Sequence, residues 1–260
     1  MDIVEALVLA LIQGLTEFLP ISSSGHLILM PALFGWEDQG LSFDIAVHLG
    51  TLAAVVVYFR RDLFAMARGL TNAASADGRL ARQLLIASVP LGLAGISSSD
   101  LVETTLREPL VIAFASAGFG ILLFAADRWR RGSMSERELG WSGALMIGLG
   151  QALALIPGTS RSGITMTAAL ALGMSREAAG RFSFLLAIPA IGMAASWQIV
   201  RFVRSPETLE PTTLVPAMLL AAITAFVTIA LFLRLIGKIG MGVFAIYRIL
   251  LALVIVYVLV

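Results

Sequence analysis

The chain has 260 residues, 58% of them hydrophobic and 13% charged, with a formal net charge of +1 and a mean hydropathy of +0.93. A soluble domain carries roughly 25% charged and 45–50% apolar residues, so this chain lacks the polar surface to face water on all sides, and lipid is its expected solvent. With no cysteine, disulfides and thiolate metal sites are excluded.

In chain order, the N-terminus carries Asp2 and Glu5 rather than a basic start, so no cleavable signal peptide is expected. Apolar stretches at 3–19 and 27–35 are too short to cross a bilayer singly, since a span needs about 20 residues. A polar segment, Pro-Ile-Ser-Ser-Ser-Gly-His, divides them. Three apolar runs follow at 43–59, 84–97 and 110–126, each read as a spanning helix. The broken design then returns at 141–156 and 164–174, around Pro-Gly-Thr-Ser-Arg-Ser-Gly. Three more spans follow at 182–200, 214–233 and 242–260. Broken backbone at membrane depth survives only where protein buries it or water reaches it. Both broken stretches therefore read as re-entrant helical hairpins with functional loops at their tips.

The expected fold is thus an all-α polytopic membrane protein of six transmembrane helices plus two re-entrant hairpins, in one membrane domain. Gln13 precedes Pro20 much as Gln151 precedes Pro157, and Ser22-Ser23-Ser24 is matched to Thr159-Ser160-Arg161. Each hairpin is followed by three spans, so a tandem unit inserts the second time upside down. This predicts inverted-topology repeats over 1–126 and 127–260, with a site where the broken segments meet. With both termini outside, the cytoplasmic face receives Arg60, Arg61, Arg68, Arg79, Arg82, Arg128, Arg130, Arg131, Arg137, Arg176, Arg181, Arg234 and Lys238. The outer face keeps Arg107, Arg201 and Arg204 beside Asp100, Glu103, Glu108, Glu207 and Glu210. The positive-inside rule favours that orientation.

Glu17, His26 and Arg161 are ionisable residues inside the broken segments, where burial costs about 2.5–3.5 kcal/mol and marks functional candidates. A Glu17–Arg161 pair that merely ties the two stretches together is the bland alternative. It leaves the crowd of serines and glycines unexplained. Arg161 suits phosphate oxygens through its fork. Thr159, Ser160 and Ser162 offer hydroxyls, with Ser22 beside them from the first loop. Free amides at a helix start after Gly163 favour an anion. Glu17 and Gln13, one helical turn apart, suit a hard divalent cation. Ser23 and His26 share a face if the loop turns helical at Ser23, pairing a nucleophile with an acid or base. Asp44 and His48 read as an interface pair, and Arg248 in the last span requires a buried partner or polar cavity.

The stretch Gln13-Gly-Leu-Thr-Glu-Phe-Leu-Pro-Ile-Ser-Ser-Ser-Gly-His26 closely resembles the first signature of the undecaprenyl-diphosphate phosphatases of the bacitracin-resistance type. Pro157-Gly-Thr-Ser-Arg-Ser-Gly163 resembles their second, and Phe182-Ser-Phe-Leu-Leu-Ala-Ile-Pro189 and Phe244-Ala-Ile-Tyr-Arg248 look like further family segments. The resemblance implies hydrolysis of undecaprenyl diphosphate to the monophosphate and inorganic phosphate, recycling the lipid carrier of cell-wall synthesis. It implies a divalent cation, magnesium or calcium, and an active site on the outer face of the bacterial plasma membrane. It makes Glu17 the metal-associated acid, Ser23 the nucleophile, His26 its acid/base partner and Arg161 with Ser160 the phosphate grip. Some accounts of the family give the nucleophilic role to the histidine. Gln13 stands where many members carry a second glutamate. The expected partners are a polyprenyl diphosphate lipid and the bilayer, with a homodimer left open and no nucleic acid. An inverted-repeat transporter or flippase for an anionic or lipid substrate is the rival reading; it uses Glu17 and Arg161 but gives Ser23 and His26 no task. An intramembrane serine protease is a third.

Overall fold

The computed structural model describes residues 2–37, 39–72, 74–104, 106, 108–129, 132–204 and 211–260; the side chains of 99–104 and 203–204 are not among them. Arg107, Arg130, Arg131, Glu207 and Glu210 therefore lie outside the described residues, as do the side chains of Asp100, Glu103 and Arg204. The described chain is built of helices: α1 (Ile3–Thr16), α2 (Ser23–Phe34), α3 (Gly40–Tyr58), α4 (Arg60–Gly69), α5 (Ala76–Thr104), α6 (Pro109–Trp129), α7 (Trp141–Ala152), α8 (Arg161–Ala171), α9 (Arg176–Arg204), α10 (Pro211–Ile239) and α11 (Gly242–Leu259). Six of them, α3, α5, α6, α9, α10 and α11, contain stretches long and apolar enough to cross a membrane. These are the six spans expected from the sequence.

The short helices are bounded by local chemistry. Asp2 caps α1 in a capping box with Glu5. α7 tightens into a 3₁₀ turn at Leu153–Leu155 and stops at Ile156, which is extended. Pro157 disfavours helical geometry in the residue before it. α2 and α8 begin at Ser23 and Arg161, earlier than the apolar runs at 27 and 164 suggested; Ser160 caps α8 by accepting from the Gly163 amide, while Ser22 holds the N-cap position of α2 without a side-chain cap bond. Much of each polar loop is thus the first turn of a helix. The amphipathic α4, rich in arginine, has no counterpart among the apolar runs.

Packing around the centre is paired. α1 lies on α10 as α7 lies on α5, α2 meets α11 as α8 meets α6, and α3–α9 and α6–α11 are in contact. Glycines permit the closest of these approaches. A Cβ on Gly14 would meet Ala221 and Thr224 of α10, and one on Gly148 would overlap the backbone of Ala87 in α5. Small residues let membrane helices approach in this way.

One end of the bundle gathers the arginines and ties the helix ends together. Arg176 bonds Asp127 twice, at 2.5 and 2.9 Å, and Asp127 also accepts from the Met241 amide at 3.1 Å, joining α9, α6 and the start of α11. Arg181 bridges Asp62 of α4 at 2.7 Å and Glu136 at 2.8 Å.

Candidate functional site

The two broken segments meet. Ser162 of α8 donates to the Leu19 carbonyl at 2.9 Å, and the Gly158 amide donates to Ser24 of α2 at 3.4 Å, so each loop receives a serine from the opposite helix. Within each loop the geometry repeats. Ser22 and Ser24 share a hydroxyl contact at 3.2 Å, as do Ser160 and Ser162. Ser22 and Ser160 are also the only non-glycine residues at positive φ among the described residues, at 69° and 66°. Such a backbone costs on the order of 1–3 kcal/mol and persists where the surroundings over-determine it. Ser22 and Ser160 thus hold like positions in their loops, at the same separation as Gln13 and Gln151.

Between the loops lies a cavity of about 170 Å³ whose wall includes Glu17, Ser22, Ser23, Ser24, Ser160 and Arg161. Glu17 is its anionic centre. One carboxylate oxygen, Oε1, pairs with Arg161 Nη2 at 3.2 Å. The other, Oε2, accepts from Ser23 Oγ and from Gln13 Nε2, each at 3.0 Å. His48 Nε2 stands 4.0 Å from the same oxygen. Arg161 also donates to the Ser183 carbonyl at 3.2 Å and lies over the Phe18 ring, while its Nε is buried without a partner. The tie between charges foreseen as the bland alternative does form, and its members line a polar cavity.

The remaining expected residues divide into two groups. Ser22 and Ser160 reach the cavity. Ser162, Thr159 and Gly163 are buried behind it: Ser162 spends its hydroxyl on Leu19, Thr159 Oγ1 has no partner, and the Gly163 amide donates to Ser160 Oγ. Because α8 starts at Arg161, its first-turn amides are those of Arg161, Ser162 and Gly163 rather than those after Gly163. The expected Ser23–His26 contact is not formed. Ser23 shares the helix with His26 but turns its hydroxyl to Glu17. His26 faces away from the cavity, with Nδ1 2.7 Å from the Ser22 carbonyl and Nε2 2.5 Å from the Tyr247 hydroxyl. Gln13 is fully buried and its Oε1 has no partner. No group of three His, Cys, Asp or Glu side chains suited to a metal occurs among the described residues.

Sequence reasoning set His48, Ser183 and Tyr247 aside or missed them, since their approach is tertiary and leaves no local spacing. The polar partner that Arg248 required is the second loop itself: its Nη2 donates to the Gly158 and Thr159 carbonyls at 2.9 and 2.8 Å.

Chemically, the cavity offers one guanidinium, several hydroxyls and the N-terminal ends of α2 and α8. Helix N-termini favour anions through unpaired amides and the helix dipole. A hydroxyl bonded to a carboxylate, as Ser23 is to Glu17, is chemically able to act as a nucleophile beside that anion site. This is the constellation of a membrane-embedded hydrolase for an anionic ester or anhydride. Residues 6–254 match the family described as "Bacitracin resistance protein BacA", and the chain belongs to that family. It is 49% identical over 259 residues to undecaprenyl-diphosphatase 2 of Stutzerimonas stutzeri, covering 96% of both chains. Over 262 residues it is 49% identical to the undecaprenyl-diphosphatase of Nitrosococcus oceani, covering 99% of both. That of Alcanivorax borkumensis is 50% identical over 256 residues, covering 96% of this chain and 97% of its own.

Proposed function

We propose that the protein hydrolyses undecaprenyl diphosphate to undecaprenyl phosphate and inorganic phosphate, returning the carrier lipid to cell-wall synthesis. The observation that carries this reading is the convergence of Ser23 and Glu17 from one loop with Arg161 from the other on a single polar cavity. The family membership and the relatives' activity support it.

The diphosphate sits against the starts of α2 and α8 with Arg161 turned to its terminal phosphate. Ser23 Oγ attacks the terminal phosphorus, and its proton leaves along the existing bond to Glu17 Oε2. The bridging P–O bond breaks and undecaprenyl phosphate departs. Water then displaces Ser23 from the phosphoserine, releasing phosphate and restoring the hydroxyl. Arg161 stabilises charge on the transferring group throughout; an arginine in this role is worth roughly 10³–10⁵ in rate. His26 is not the base for Ser23 in this scheme, because both its ring nitrogens are engaged elsewhere.

The donor set fits a divalent cation such as magnesium or calcium. Gln13 contributes a buried oxygen without a partner, on the amide whose Nε2 bonds the Glu17 carboxylate. Magnesium commonly binds through one or two carboxylates and completes its shell with water and substrate phosphate. Gln13 and Glu17 would hold the ion, which would supply positive charge to neutralise diphosphate oxygens.

The fold reading extends to topology. We assign the short helix pairs α1–α2 and α7–α8 as re-entrant hairpins of two inverted repeats, 1–126 and 127–260. The paired helix contacts and the matching strained serines support this. The arginine-rich end is then cytoplasmic by the positive-inside rule, the termini face outside, and the cavity opens to the periplasmic side.

The test is phosphate release from a long-chain polyprenyl diphosphate by the purified protein in detergent, with magnesium or calcium and with chelator. Cation-dependent release, abolished in Glu17→Ala and Arg161→Ala, is expected. No release from a folded preparation overturns the assignment and favours transport, for which broken inverted repeats are the usual frame.

A further inference from the structure

We propose that Tyr247 and Arg248, neighbours on α11, are positioning residues that set the two loops of the site: Tyr247 acts through His26 on the first loop, and Arg248 acts directly on the second. The proposal rests on the phosphatase reading of that site.

Consecutive helical residues point about 100° apart, so one turn of α11 addresses both loops. The Tyr247 and His26 rings lie nearly parallel, with centroids 5.6 Å apart and planes within 8°. Its hydroxyl is 2.5 Å from Nε2, and Nδ1 is 2.7 Å from the Ser22 carbonyl. A carbonyl only accepts, so Nδ1 carries the hydrogen; in the neutral ring Nε2 then carries the lone pair and the tyrosine hydroxyl donates. The tautomer follows from the partners. The pinned carbonyl belongs to the planar peptide joining Ser22 to Ser23. Holding it holds the first residue of α2, whose hydroxyl faces Glu17, at the point where Ser22 is strained to φ 69°.

Arg248 does the corresponding work opposite. It is fully buried, and its guanidinium donates to the carbonyls of Ser116, Gly158 and Thr159 at 2.9, 2.9 and 2.8 Å. A buried cation is costly unless its donors are satisfied; here carbonyls take Nε and Nη2, while Nη1 is buried without a partner. The Thr159 carbonyl lies in the peptide leading into Ser160, strained to φ 66°, and Arg161 follows. Gly163 leaves the room: a Cβ there would press against Arg248 Nη1. Both strained serines are thus over-determined from a single helix, which keeps Ser23 and Arg161 in mutual register across the cavity.

The test measures kcat and KM for polyprenyl diphosphate hydrolysis, with thermal unfolding, on the wild type, Tyr247→Phe, His26→Gln, their double variant and Arg248→Lys. Tyr247→Phe keeps the ring and loses only the hydroxyl. We expect kcat to fall about tenfold, the effect of one hydrogen bond, with KM and the unfolding midpoint little changed. The double variant is expected to be no worse than the poorer single one, because the two residues act in series. Arg248→Lys is expected to raise KM. If it does not fold, Gly163→Ala takes its place and is expected to raise KM likewise. Wild-type kcat and KM in Tyr247→Phe, or additive losses in the double variant, overturn the proposal for Tyr247. Unchanged KM in a folded Arg248→Lys or Gly163→Ala overturns it for Arg248. An inactive wild type removes the phosphatase reading, and the proposal falls with it.

Discussion

Arg161→Lys keeps the charge at the cavity and removes the fork. The guanidinium uses Nη2 for Glu17 and Nη1 for the Ser183 carbonyl, both at 3.2 Å, and holds Nε buried with no partner. An ammonium replaces these directed nitrogens with one compact centre on a flexible stem. It satisfies Glu17 or the α9 carbonyl in the resting protein, and one phosphate oxygen at a time in the reacting one. Hydrogen bonds to charged groups are each worth about 1.5–3 kcal/mol. Losing two of them in the transition state, each near the lower end of that range, costs roughly 3–4 kcal/mol, or about a hundredfold to a thousandfold in kcat/KM. The assay is initial-rate phosphate release in detergent at saturating cation, beside thermal unfolding to establish that the variant is folded. A folded Arg161→Lys within about threefold of wild-type kcat/KM would refute the role given to the fork.

Gln13→Glu adds a carboxylate beside Glu17, and more ligand charge tightens a divalent site. A cation titration of activity is expected to show a lower half-maximal concentration, and an unchanged titration counts against Gln13 as a ligand. Gly158→Ala places a side chain at φ 92° and against the Ile112 backbone. A loss of about 1–3 kcal/mol in stability is expected, read as a lower unfolding midpoint. Asp127→Asn discharges a partner that is 4% exposed and doubly bonded to Arg176. Breaking a buried pair costs about 3–5 kcal/mol, so its unfolding midpoint is expected to fall, while activity per folded molecule stays at the wild-type level.

Much of this arrangement was legible in the sequence because lipid enforces it. Runs such as 110–126 and 214–233 announce α6 and α10 by composition alone, and the two polar interruptions announce the short helices. Helix ends were less legible. α5 begins at Ala76 and α9 at Arg176, outside their apolar runs, because charged residues extend a span into the headgroup region. α4 was invisible to a search for apolar runs, since its arginines alternate with its apolar face. In the site, Glu17 and Arg161 stood out as charges in apolar surroundings and do meet. The Ser23–His26 spacing was read as a pair, yet helical proximity does not fix where a ring nitrogen points. Tyr247, more than two hundred residues away in sequence, takes Nε2. His48 near Glu17 likewise depends on how α3 is rotated against α1, which no local pattern records.

The most direct test of the central claim compares wild type with Ser23→Ala for release of inorganic phosphate from undecaprenyl diphosphate, with the monophosphate lipid quantified in the same samples. The account predicts stoichiometric phosphate and lipid monophosphate from the wild type, and loss of both in a folded Ser23→Ala. Full turnover in Ser23→Ala would contradict the nucleophile placed at the meeting of the two loops.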